Sequence, residues 1–177
     1  MDANVEAPAQ PSVMIALLLL LGAVPFVGAL LLAFHLLGIG MVYMGFLFLF
    51  YWMGIMQQSM KVFMPSLVGG LAGIGMAWLL LALPAIAGPI ALYGAVALLA
   101  GAVFCLIRGQ FGLVVNNSMM LYLTVATIPD IKIADNVLEM AAALLVAAGY
   151  SFAVATMLGW VMARRAAKAP TPAALSA

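Results

Sequence analysis

The sequence predicts an all-α membrane protein, a bundle of about six transmembrane helices with short loops and both termini cytoplasmic. Three observations predict it. Of 177 residues, 68% are hydrophobic and only 6% are charged, whereas soluble domains carry about 25% charged residues. The apolar segments are long and rich in Leu, Ala, Gly and Met, which indicates helical spans and not the short alternating strands of a membrane barrel. The basic residues, finally, gather on one side of the map that those segments draw. One domain is expected, 12–163, between a polar N-terminal tail, 1–11, read as disordered, and a basic, then Pro/Ala-rich C-terminal tail, 164–177.

The chain carries no charged residue from Ala7 to Met60, and at about 20 residues per crossing that run holds two spans. Asp2 and Glu6 stand where a secretory signal would be basic, so the first run reads as a retained span. It covers about 12–36, with Pro25 as a kink, and Gly38 and Gly40 supply the turn that follows. The second span covers about 41–55 and ends in Tyr51 and Trp52, rings that favour the headgroup level. Gln57, Gln58, Ser59 and Lys61 make a polar link. Pro65 suits the first turn of a third helix, about 65–83. Pro84, Gly88 and Pro89 then break the chain before a fourth span, about 89–107, which Arg108 closes.

The fifth span, about 110–128, is the unusual one. It holds Asn116, Asn117 and Ser118 in its middle and stops at Pro129. Gln110, Asn117 and Thr124 recur every seven residues, which on one α-helix places them within roughly 40° of each other, with Thr127 at the edge of the stripe. Amides in hydrocarbon cost free energy unless satisfied. Gln110, Asn116, Asn117, Thr124 and Thr127 are therefore candidates to line a pore or pocket. The competing reading has the Asn pair bonding neighbouring helices as structural glue, or a helix broken near Gly112. The charged loop Asp130–Glu139 leads to the sixth span, about 137–161, where Asn136 and Glu139 match a capping box. With the termini inside, Lys61, Arg108, Arg164, Arg165 and Lys168 face the cytoplasm and only Lys132 faces out, as the positive-inside rule requires.

Two small-residue stripes point to close helix packing. One is Gly69, Gly73 and Ala77; the other is Ala143, Ala147, Ser151, Ala155 and Gly159. The tetrapeptides Gln57-Gln58-Ser59-Met60 and Asn116-Asn117-Ser118-Met119 share an amide-amide-Ser-Met pattern, which raises the idea of an inverted repeat against that of chance. His35, near the outer end of the first span, is a candidate gate or else an interfacial ring. One Cys and one His do not make a tetrahedral metal site. No HExxH, no phosphate loop and no Ser-His-acid arrangement is present, so the chain is not read as an enzyme and no cofactor is expected. Net charge is +1 without a basic run, which disfavours nucleic acid as a partner.

From about Leu37 onward the chain resembles the YcdZ-like family, small bacterial inner-membrane proteins classed as a domain of unknown function. The resemblance is carried by Gly45-Phe46-Leu47 with Tyr51-Trp52, by Lys61, by Gly75 to Trp78 and by Ala142 to Tyr150. It implies a multi-pass bundle in the bacterial inner membrane. The function expected from amides and hydroxyls without intramembrane charge is a small homo-oligomeric channel or facilitator for neutral or weakly polar solutes. The alternative is a non-conducting structural or accessory subunit of a larger membrane complex.

Overall fold

A computed structural model describes residues 12–128, 131 and 133–168, which form helices and turns with no strand among them. Six helical segments follow in order. Helix α1 is Val13–Leu36. Helix α2 is Val42–Phe48 and continues as a π-helix, Leu49–Ile55. A 3-10 turn, Met60–Val62, opens α3, Phe63–Leu81, which is prolonged by the short α4, Leu83–Ala87. Then come α5, Ile90–Ile107, α6, Asn117–Ala126, and α7, Ile133–Lys168. Among the described residues four stretches are long and apolar enough to cross a membrane: Val13–Leu36, Met60–Ala87, Ile90–Ile107 and Asp135–Arg165; Val42–Ile55 is apolar but shorter.

Contacts set the directions. Helix α7 is antiparallel to α1, because Phe26 meets Tyr150 while Phe34 lies at Gly45, beside Ala143 and Ala147. It is antiparallel to α3 as well, through Phe63 with Phe152 and Gly70 with Leu144. Helix α2 runs with α7, since Met41 pairs with Glu139 and Gly45 with Ala143. Helix α6 runs with α3, through Ser118 at Ser66 and Tyr122 at Gly73. Ser12 and Arg164 thus lie toward one end of the bundle, together with Lys61 and Arg108, and Asp135 and Glu139 lie toward the other.

Glycines decide how close these helices come. A Cβ at Gly73 would stand 2.3 Å from the Met119 carbonyl oxygen, and one at Gly69 would stand 2.2 Å from Asn116 Oδ1. At Gly45 it would meet Phe34 at 2.4 Å and the Ala143 carbonyl at 3.1 Å. In lipid, helix association depends on such packing because apolar side chains gain nothing by leaving lipid for each other. The core around these seams contains Trp52, Tyr122, Phe34, Phe48, Met44, Met140 and Leu144, all fully buried.

The structure corrects several expectations. The stretch 110–128 is not one helix. Gly109 at φ +65° lets Gln110 N–H return to the Cys105 carbonyl at 2.9 Å, ending α5, and Phe111 also turns left-handed at φ +55°. Asn116, in extended conformation, then starts α6 afresh. Tyr51 and Trp52 are buried in the core and do not stand outward as interfacial rings. The wider π turn, marked by Met56 N–H bonding to the Tyr51 carbonyl at 2.9 Å, brings neighbouring residues nearer to one face. Of the expected breakers Pro84, Gly88 and Pro89, Pro84 does not stop the chain but takes an early position in α4, whereas Gly88 at φ +82° makes the turn as expected. Asn136 and Glu139 are not a capping box, because α7 already begins at Ile133. The amide-amide-Ser-Met motifs both sit at helix starts and not in mid-span: the first ends at Met60, which opens the 3-10 turn, and the second has Asn116 as N-cap with Asn117, Ser118 and Met119 in the first turn of α6. Of the expected C-terminal tail, 164–177, residues 164–168 instead continue α7; the expected tail 1–11, residues 169–177, and Pro129, Asp130 and Lys132 lie outside the described residues.

Candidate functional site

The densest polar construction in the bundle is the start of α6. Asn116 accepts the Met119 N–H on its Oδ1 at 3.2 Å, the bond of an N-cap. Its Nδ2 donates to the Pro65 carbonyl at 2.8 Å, with the Gly112 and Leu113 carbonyls at 3.1 and 3.3 Å. One amide therefore closes the loop before α6, caps the helix and ties it to α3. Ser118 Oγ donates to the Ser66 carbonyl at 2.7 Å, and Ser66 Oγ donates to the Val62 carbonyl at 2.6 Å. Tyr122 OH reaches across to the Met44 carbonyl at 2.7 Å, and Trp52 Nε1 donates to the Ser59 carbonyl at 3.1 Å. Among the described residues no buried side-chain nitrogen or oxygen lacks a partner. In a low-dielectric interior that completeness matters, since each orphan costs on the order of 1–3 kcal/mol.

The expected pore-lining residues separate. Asn116 is in the α3–α6 seam. Gln110 is exposed in the loop before α6, and Asn117 is exposed at the first position of that helix. Thr124 is exposed and spends its hydroxyl on the Met120 carbonyl at 2.8 Å; Thr127, half-buried, bonds the Thr124 carbonyl at 3.0 Å. Asn117 and Thr124 share the outward face of α6, and Gln110 does not belong to that helix. The packing residues Gly69 and Gly73 line the α3–α6 seam. Ala143, Ala147 and Ser151 are buried along α7, Ala155 is half-buried and Gly159 is exposed. The second stripe is therefore a close contact over its first half only. His35 is exposed in the last turn of α1. No group of three or more His, Cys, Asp or Glu that could hold a metal is found among the described residues.

Glu139 has a role the sequence did not disclose. Its Oε1 accepts from the Gly40 N–H and, at 3.0 Å, from the Met41 N–H. Met41 precedes α2 and offers no side-chain cap of its own, so a carboxylate from α7 caps α2 across the bundle and fastens the α1–α2 turn. A charge-assisted bond of this kind is roughly twice as strong as a neutral one. The signal in the sequence was the lone acid at the start of an apolar run, but its partner is about 100 residues away.

The cavities are apolar and open to the outside. One of about 660 Å³ lies between α3 and α7 beside Phe63, Met64, Gly149 and Phe152. One of about 490 Å³ lies among α1, the π-helix and α7, with Gln58 as its polar member beside Phe26, Met53 and Leu158. Compared with protein-family models, with curated proteins and with solved structures, the chain gives no match in any of the three.

Proposed function

We propose that the chain is a multi-pass subunit of the bacterial inner membrane, with cytoplasmic termini, acting as a structural or accessory component of a larger membrane complex. The observation that carries this reading is how the interior polar groups are used. Asn116, Ser118, Ser66 and Tyr122 each bond to backbone of a neighbouring segment or of their own helix. Around them the space is filled by Trp52, Met44, Met140 and Leu144. Large apolar faces are left outward on α1, α5 and the second half of α7, surfaces that a membrane partner can cover. Four crossing-length helices support the membrane setting, and the collection of Lys61, Arg108, Arg164 and Arg165 toward one end supports cytoplasmic termini. The likeness to YcdZ-like proteins supports the inner membrane.

A homo-oligomeric channel for neutral solutes is the second reading. It is favoured by one observation: Asn117 and Thr124 point outward on the same face of α6, where a second protomer would have to complete a pore. Solute flux into proteoliposomes, with the wild type beside Asn117→Leu, separates the two. The accessory reading expects wild-type flux equal to that of empty liposomes and no change on substitution. Wild-type flux above background that Asn117→Leu abolishes, with unaltered melting, overturns it in favour of the channel.

A further inference from the structure

We propose that this protein thins one leaflet of its bilayer, holding phospholipid headgroups and water in a recess over the starts of α3 and α6. The inference begins with two helices that measure the membrane. Helix α1 has 24 residues, or about 36 Å, against a hydrocarbon core of about 30 Å. Helix α7 covers a similar length, roughly 37 Å, between Glu139 and Arg164. The two are in step: Glu139 holds Gly40 and Met41 just past the end of α1, and Phe26 and Tyr150 meet midway with ring centroids 5.0 Å apart. At the far end the Arg164 guanidinium stacks 3.5 Å over Trp160, a pairing suited to the headgroup level.

The other segments stop short of that plane. Gln58 shares a cavity with Val154, Ala155 and Leu158, and Phe63 packs on Phe152 at 5.2 Å. The link Gln57–Lys61 is therefore level with about Ala155, roughly 14 Å along α7 from Arg164. The loop from Arg108 to Asn116 ends deeper than that level, because Asn116 binds the Pro65, Gly112 and Leu113 carbonyls at once and lies against Gly69, whose neighbour Gly70 meets Leu144. Both stretches are irregular and outward-facing, with Gln57, Gln58, Lys61, Arg108 and Gln110 all exposed. Exposed irregular backbone is not tolerated in hydrocarbon. Yet at that level and beyond it, Val13, Met14, Ile15, Leu17, Leu20 and Leu21 of α1 are 51–78% exposed, and these aliphatic side chains belong in hydrocarbon.

Both demands are met when the leaflet surface stays high along α1 and α7 and dips beside α3 and α6. Bilayers accommodate short spans by thinning, at a modest cost per ångström. Lys61 and Arg108 supply the cations for headgroup phosphates drawn inward. The recess does not depend on whether the chain conducts a solute.

Depth-dependent quenching tests it. In full-length protein carrying Cys105→Ala, a bimane label is placed at Gln110→Cys, in the exposed loop before α6, or at Leu21→Cys, on the exposed face of α1. Each is reconstituted with lipids spin-labelled either at the headgroup or at mid-chain, and used only if melting matches the unlabelled protein. The expected result is an inversion: the headgroup label quenches position 110 more strongly, and the chain label quenches position 21 more strongly. Stronger chain quenching at both sites means no recess, and stronger headgroup quenching at both means a flat surface with α1 standing in water. Position 21 untouched by either label means that protein covers it. Each of these three results overturns the proposal.

Discussion

The bundle contains two regions made from nearly the same amino acids that behave oppositely. Where α3 meets α6 and α2 meets α7, glycines have no room for a methyl group, and every buried polar side chain is bonded. Along α1 and α5, Gly22, Gly28, Gly94 and Gly101 have nothing within 4 Å of where a Cβ would be, and Leu, Val and Phe face outward. A glycine in an apolar helical bundle thus means nothing by itself. It becomes a seam only where a second backbone crosses it and polar groups fix the crossing.

The sharpest way to break that contrast is Gly73→Ala. The added methyl would lie 2.3 Å from a backbone oxygen that no rotamer change can move. Separation of α3 from α6 is expected to cost about 2–3 kcal/mol or more, read as a fall in the melting temperature of the purified protein or in steric-trapping stability in bicelles. An unchanged melting temperature would mean that the two helices do not cross as closely as described.

A subtler test couples the seam to its polar tie. Asn116→Ala removes a cap and an interhelical bond and should cost about 1–2 kcal/mol. Gly69→Ala alone should also destabilise, because its methyl would meet the Asn116 amide at 2.2–2.7 Å. In the double variant the amide is gone, so the two losses should fall short of their sum by on the order of 1 kcal/mol. Strict additivity in the same unfolding assay would separate the amide from the seam.

The smallest effect is expected with the opposite sign. Gly101→Ala on α5 meets open space and removes a helix-weakening residue, so a gain of a few tenths of a kcal/mol, up to about 1, is predicted. A clear loss would show that another protein surface packs against α5. The same substitution, destabilising at position 73 and stabilising at position 101, would establish that environment and not residue type separates the two regions.

The sequence by itself determined the apolar helical character, the approximate position of the helical segments other than α6, and the gathering of basic residues toward one end. These follow from composition and from uninterrupted hydrophobic length, which are local properties that no neighbour needs to supply. It also singled out Asn116 and the glycines at 69 and 73, because an amide or a run of glycines is conspicuous against Leu and Ala. Only the tertiary structure decided what those residues do. Gln110, Asn117 and Thr124 fit one helical stripe on paper, but left-handed turns at Gly109 and Phe111 and the Asn116 cap divide the stretch. Trp52 carries the signature of an interfacial ring and is instead enclosed by Phe48 and Phe63. Glu139 resembles a local cap and instead closes the N-terminus of α2. For Asn116 and Glu139 the deciding partner is a backbone group of another segment, and backbone groups are alike at every position, so the sequence has no mark for which one will be near.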